Sequence, residues 1–275
     1  MTDPTSHKLV AVSPQRHGTC YWRRFESYGF ARVMHCVDIV MAEVAPAASA
    51  FPLVFRKRQD DSGIDPVALL SFGRSEPTPF VTTDGNWRGT YVPSALRAHP
   101  FAAQFTDKAG EMTLLVDEAS GLVTKDPNDQ PFFDAEGKPA KPLEDVIEFF
   151  RTRALSALQT QKACMALQAA ELLTPLRDFA GMNQADLENL YTINTEKLDA
   201  LSDENLPDLW HSGALRLAEA QRVSLCHVGW MLRAERESAG IGRKAPKAAS
   251  QSDTALSGFL DALSDAQDRD WSTTS

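Results

Sequence analysis

The apolar positions change rhythm near residue 140. Before it they come in short β-rich runs broken by turn residues; after it they recur at steps of three and four. Residues 8–12 read as a first strand, ended by Ser13-Pro14. Residues 28–44 carry Ala31, Val33, Met34, Val37, Val40 and Met41, a stripe that suits a helix at a β-branched density that also suits a strand. Residues 51–55 and 66–73 read as strands, the second apolar throughout, as in a strand covered on both faces. Residues 80–83 lead to Asp84-Gly85, a pair that supplies the positive φ angles of a tight hairpin turn. The return over residues 86–92 puts Trp87, Gly89 and Tyr91 on one face, with Trp87 expected to be buried. Pro93 opens a short helix over residues 94–98 and Pro100 stops it. Residues 101–105 and 112–116 form a further pair, and residues 132–137 another strand and turn.

Beyond Pro139 and Pro142 the pattern is helical. Val146, Ile147, Phe150, Ala154, Leu158, Met165, Ala169 and Leu172 predict one long helix over residues 143–173. Residues 176–180 and 187–193 suggest a small hairpin, and Asn194 and Ser202 look like helix N-caps. A second long helix is predicted over residues 214–236. The fold class is therefore α+β: a mostly antiparallel β region with short helices over residues 8–140, followed by two long helices within residues 141–236 that pack on it as one globular unit. Residues 237–253 have a linker composition. In residues 254–271, Leu256, Phe259, Leu260 and Leu263 fall at i, i+3, i+4 and i+7, one apolar stripe of a helix that would form when docked on a partner or on its own chain. A disordered tail with chance spacing is the alternative.

Of the 275 residues 43% are hydrophobic, enough for a sizeable core, and the formal charge is −9. An acidic chain lacks the basic face that nucleic acid requires. No stretch approaches the ~20 apolar residues of a spanning helix, and residues 1–9 lack a signal-peptide layout. Cys20, Cys36, Cys164 and Cys226 are scattered rather than framed for disulfides, which fits a reducing, cytoplasmic setting.

Chemistry-bearing motifs are sparse. There is no Gly-rich phosphate loop and no G-x-S-x-G elbow. His17 and Cys20, His35-Cys36 and Cys226-His227 hold metal-ligand types without metal-ligand spacing, so no metal or cofactor is expected. Ser212 beside His211 reads as a helix junction. The strongest candidate is the stretch Trp87-Arg88-Gly89-Thr90-Tyr91-Val92-Pro93 with Leu96-Arg97. Arg88 and Arg97 could clamp a carboxylate or phosphate beside Tyr91, with His35 as a further polar group. The competing reading makes the aromatics core and pairs the arginines internally.

The chain also resembles a family. Pro14 to His17, Tyr28-Gly29-Phe30-Ala31-Arg32, His35, Glu43, Phe51-Pro52-Leu53-Val54-Phe55, Asp84 through Pro93, Leu96-Arg97, Pro100-Phe101, Leu114-Leu115-Val116-Asp117, Phe133 through Gly137 and Ser212-Gly213-Ala214-Leu215 are similar to the SapC-like family of bacterial proteins. This is the surface-layer-associated family and not the peptide-transport permease of similar name. The likeness covers about residues 8–235. It implies no catalytic residues, since none are established for the family. It implies instead an accessory role beside a surface-layer or outer-membrane uptake system, with another protein or peptide as partner. A small-ligand protein or enzyme built on His35, Arg88, Tyr91 and Arg97 is the alternative.

Overall fold

The computed structural model describes residues 9–73, 76–105 and 112–238. By its contacts the chain divides into two units, Met1–Glu235 and Arg236–Ser275. Of the second unit only residues 236–238 are described. Glu237 and Ser238, the first two residues of the expected linker, end a helix instead; the rest of that linker and the expected tail helix with Leu256, Phe259, Leu260 and Leu263 lie outside the described residues.

The strands among the described residues are β1 (Leu9–Ala11), β2 (Tyr21–Trp22), β3 (Cys36–Asp38), β4 (Leu53–Lys57), β5 (Ile64–Leu69), β6 (Phe101–Phe105), β7 (Met112–Asp117), β8 (Val123–Thr124), β9 (Gln130–Pro131), β10 (Leu173–Pro175) and β11 (Leu190–Ile193). The α-helices are α1 (Pro14–His17), α2 (Val44–Ala48), α3 (Ser94–Arg97), α4 (Lys141–Ala169), α5 (Gln184–Leu187), α6 (Thr195–Asp199), α7 (Leu206–His211), α8 (Ala214–Ser224) and α9 (Val228–Ser238). Three sheets form, ordered β1-β7-β6, β10-β11-β4-β5-β3 and β8-β2-β9. Every pairing is antiparallel. The fold is the α+β class that the hydrophobic rhythm predicts: antiparallel sheets with short helices, then α4 and the α8–α9 pair.

Among the described residues the apolar side chains form two cores. The larger lies on the five-stranded sheet, where Val54, Phe55, Val67, Ala68 and Leu69 are fully covered, and takes in Cys164 and Leu167 of α4 and Leu217 and Ala218 of α8. The smaller comprises Trp22, Phe101, Leu114, Val116, Phe132, Leu143 and Phe150. Helix α4 spans both, with Leu143 and Phe150 in the small core and Ala163, Cys164 and Leu167 in the large one.

Local departures from the sequence reading have local causes. Residues 28–44 resolve into a 3₁₀ turn Gly29–Ala31, the strand β3 and a second 3₁₀ turn Met41–Glu43 leading into α2. Asp84-Gly85 does turn, with Gly85 at φ 85°, and a Cβ there would sit 1.9 Å from Ser27 Oγ. The return does not become a strand. Only Val81 and Trp87 bridge, because the Trp87 indole N–H donates to the Tyr91 carbonyl at 2.8 Å and curls the chain into a loop. The small hairpin exists as β10 and β11, three residues earlier on its first strand than expected, and β11 joins it to β4. Asn194 caps α6 through the Lys197 amide, whereas α7 starts after Asn205 and not at Ser202.

The predicted helix over residues 214–236 is broken by a 3₁₀ turn at Leu225–His227. The cause is packing on the sheet. Ser224 Oγ donates back to the Gln221 carbonyl and accepts the Leu53 amide, and His227 Nε2 lies 3.2 Å from the Ala48 carbonyl.

His17 is fully buried against the Phe132 ring, their centroids 5.0 Å apart. Its Nδ1 accepts from the Ser13 amide, and its Nε2 lies 3.5 Å from Glu118, which also receives Arg16 at 2.6 Å. Burial lowers the His17 pKa below the ordinary 6.5, against the opposing pull of Glu118. The unfolded chain then binds more protons than the folded one just below that value, so stability falls as pH drops through this window. Asp60 and Asp84, both held below the usual carboxylate range, contribute only at lower pH. Glu235, raised by burial, acts with the opposite sign. Melting temperature is therefore expected to drop between pH 7.5 and 5.5, and His17→Gln to flatten that slope. An unchanged slope in the variant would sink the assignment.

Candidate functional site

Two features adjoin each other beside α4: a buried carboxylate network and a largely apolar cleft, which share Val40, Arg153 and Thr160. Glu43 closes the 3₁₀ turn before α2 and is 4% exposed. Its Oε1 accepts from the Val40 amide at 3.2 Å and the Ser94 hydroxyl at 2.6 Å. Its Oε2 accepts from the Tyr91 hydroxyl at 2.8 Å and the Ser94 amide at 2.7 Å. Four donors saturate the two oxygens. The turn's other leading amides, Met41 and Ala42, donate to Thr160 and Ser156 of α4, both at 2.8 Å. So the start of this turn, which has no intrahelical acceptors, is satisfied entirely by side chains.

The network fixes the candidate residues unequally. Tyr91 and Arg97 come together: Arg97 Nη2 lies 3.4 Å from the Tyr91 hydroxyl and its guanidinium 5.8 Å from the ring centroid. Burial and the Glu43 carboxylate push the Tyr91 hydroxyl up to about 12, so at neutral pH it is a donor to Glu43. Arg88 is exposed, and its backbone amide donates to the Phe80 carbonyl. His35 is elsewhere again. Its Nδ1 lies 3.5 Å from Ser71 Oγ, and it lines a cavity of about 800 Å³ with Cys36, Arg56, Arg58 and Asp186, in which Arg88, Tyr91 and Arg97 have no part. Trp87 is half-buried rather than buried, ringed by Tyr28, Phe51 and Phe80. The Tyr91 hydroxyl thus serves the Glu43 network, with Arg97 beside it, and neither they nor Arg88 converge with His35.

Next to this network lies a cleft of about 1060 Å³. One wall is β6 with the end of α3, through Ala95, Ala98, Phe101, Ala102, Ala103 and Phe105. The other is α4, through Phe150, Ala154, Leu155, Ala157 and Leu158. Six of these are alanines, and short side chains on both walls are what leave the space between two packed elements. Phe105, Leu155 and Leu158 are exposed beside it. Its polar members are mostly charged, with Thr160 and Gln161 beside them. Arg153 donates through Nε to Ser94 Oγ at 3.0 Å, tying the cleft to the Glu43 network, and Arg58 grips Asp65 through two bonds of 2.7 and 2.6 Å. Arg151 is exposed, with Glu148 at 3.8 Å.

The sequence reading missed Ser94, Arg153 and the alanines. Glu43 stood among the residues of the family likeness, but with valine at the N-cap no capping signature precedes it; alanines carry no chemical signal. Among the described residues no group of three His, Cys, Asp or Glu is placed to hold a metal. None of the four cysteines forms a disulfide; Cys164 is buried, its thiol pushed up to about 12 by that burial. No helix among the described residues is long and apolar enough to cross a membrane.

Comparison with curated proteins and with solved structures finds no match to either. A family model, SapC, matches residues 12–230, which take in the smaller core, all of the larger one but Met231, the Glu43 network and the cleft, and the chain belongs to the SapC family.

Proposed function

We propose that the protein is a non-catalytic accessory protein of a bacterial surface-layer or outer-membrane uptake system, and that it holds a segment of a partner protein in the cleft between α4 and β6. The observation that carries this reading is the cleft itself. Its volume of about 1060 Å³ lies at the upper end of the roughly 300–1,000 Å³ usual for small-molecule sites, room enough for a peptide segment. Its walls are mostly apolar, and the side chains nearest to a reactive appearance, Glu43 and Tyr91, are outside the cleft and consumed by internal hydrogen bonds. Recognition here would come from burying apolar side chains of the partner, with Arg151 and Arg153 favouring carboxylates beside them. The surface setting rests on the family likeness alone, and the partner's chemistry rests on the cleft.

A photo-crosslinking side chain at Ala103, inside the cleft, and another at Arg222, on α8 away from it, test the proposal in the native host. A surface or outer-membrane protein should be captured from position 103 and not from 222. Ala98→Trp, which fills the cleft, should abolish that capture while the melting curve stays in place. Equal capture from both positions, or none from 103, would overturn the reading.

A further inference from the structure

The cleft follows the edge of a sheet. In the order β1-β7-β6, β6 stands at one end. Phe101, Ala102, Ala103 and Phe105 of β6 line the cleft, while β7 contributes only Met112 and β1 nothing. Side chains along a strand alternate between its two faces. Lining by neighbours of both parities, Ala102 between Phe101 and Ala103, therefore puts the cleft along the outer edge of the strand and not over one face of the sheet. Backbone bonding says what that edge offers. The Leu114 carbonyl accepts from the Val12 amide, so Leu114 turns its backbone toward β1. The Asp117 amide donates to the Pro100 carbonyl at 2.9 Å, so Asp117, Leu115 and Thr113 turn theirs toward β6, opposite Pro100, Ala102 and Gln104. Phe101, Ala103 and Phe105, between them, direct their backbone groups outward. The Ala98 carbonyl takes the Phe101 amide at 2.8 Å. The amide and carbonyl of Ala103 and the amide of Phe105 have no backbone partner among the described residues.

The other sheet edges among the described residues are blunted. Strands β1, β3 and β10 are three residues long, and β8 and β9 two. Pro175 ends β10, Pro131 ends β9, and Asp38 of β3 holds Arg56 at 2.6 Å. Short strands, prolines and charges are the usual guards of an edge. Strand β6 has five residues, Phe-Ala-Ala-Gln-Phe, with no proline and no charge, and Gln104 and Phe105 are exposed. An open edge of this kind is a template for another strand.

Given a partner segment in this cleft, as proposed above, we infer that it enters as an extended strand and joins β6 as the fourth strand of the β1-β7-β6 sheet. Main-chain bonds to Ala103 and Phe105 supply the grip, and alternate side chains meet the apolar wall of α4 at Leu155 and Leu158. Charge selects among such segments. Of the carboxylates in the cleft, Asp38 is held by Arg56 and Asp65 by Arg58, which leaves Arg151 and Arg153 without one. The segment that fits is apolar at every second position and carries an acidic residue beside these two guanidiniums. The β6 strand of a second copy has no acidic residue to offer them.

A photo-crosslinking side chain at Leu155, on the facing wall, reads capture in the native host. Ala103→Pro removes an outward N–H and spares the ladder with β7, which runs through Ala102 and Gln104. Circular dichroism should therefore stay unchanged while capture falls at least about tenfold. Ala103→Val keeps the N–H at similar bulk and should capture as the wild type does. Hydrogen exchange adds a reading that needs no variant. In the free protein the amides of Ala103 and Phe105 should exchange fast and those of Ala102 and Gln104 slowly; the peptide recovered from the crosslink, added back, should slow the first two. Capture undiminished by Ala103→Pro, or outward amides that stay fast with the peptide bound, would overturn strand addition and leave the cleft standing as a partner site. A wild type that captures nothing from Leu155 or Ala103 would overturn both. A crosslink from Leu155 to this chain itself, its own or a second copy, would give the cleft another occupant and end the inference.

Discussion

Glu43→Gln is expected to cost the protein about 2–4 kcal/mol of stability, although it changes one oxygen for one nitrogen. The two carboxylate oxygens receive four donors: the amides of Val40 and Ser94 and the hydroxyls of Ser94 and Tyr91. A carboxylate only accepts, so every approach is matched. A carboxamide brings two N–H donors of its own into a shell made of donors. Whichever way it is turned, one side of it faces groups that can no longer bond to it, and Ser94 and Val40 have little access to water. A buried donor left without an acceptor costs about 1–3 kcal/mol. Glu43→Ala is a weaker test, because the cavity it opens could admit water to the same donors. Chemical denaturation with an unchanged m-value would report the loss. Tyr91 gives an independent reading: with the carboxylate gone, its hydroxyl keeps the upward push of burial and loses that of Glu43, so it should titrate lower than about 12. A stability loss under about 1 kcal/mol would mean that water already reaches the network.

The same residues show what the sequence could and could not convey. Apolar rhythm is set by which side chains must leave water, so it located α4, the β6–β7 pair and the strands around Phe55 and Val67. It also gave the α+β class. Its failures fall where a particular side-chain bond outweighs the rhythm. The Trp87 indole bonds to Tyr91 and converts an expected strand into a loop. Ser224 and Gln221 reach β4, their side chains bonding to the Leu53 amide and carbonyl, and the helix breaks after them. No local pattern announces the Ser224 and Gln221 bonds, since their partners lie more than 160 residues apart. The candidate site was legible in part. Of the expected set His35, Arg88, Tyr91 and Arg97, only Tyr91 and Arg97 lie side by side, and the acid that organises Tyr91 lies 48 residues upstream. The cleft was illegible for a different reason: it is made by alanines, and what an alanine leaves empty depends on what is packed opposite.

Phe132→Ala is expected to cost about 3–5 kcal/mol, and to do so unevenly across the molecule. Phe132 is fully covered, with the Phe101 ring at 6.1 Å and the His17 ring at 5.0 Å. It belongs to the smaller core, where only six other buried apolar residues stand around it. A core of that size has few neighbours with which to close the space a phenyl ring leaves, so the upper part of the range applies. The larger core, on β4 and β5, keeps all its members in the variant. The two cores share α4, whose first turns lie in the small core and whose last turns lie in the large one. Loss of Phe132 should therefore release β1, β6, β7 and the start of α4 before the rest. Native-state hydrogen exchange reads this directly. Amides of β6 and β7 should exchange much faster in the variant, and those of β4 and β5 should change less. His17 supplies a second signature: uncovering its ring removes the main cause of its lowered pKa, so the fall in stability below pH 7 should shrink along with it. A uniform rise in exchange over both sheets would mean that the two cores unfold as one, and that α4 couples them more tightly than their separate packing indicates.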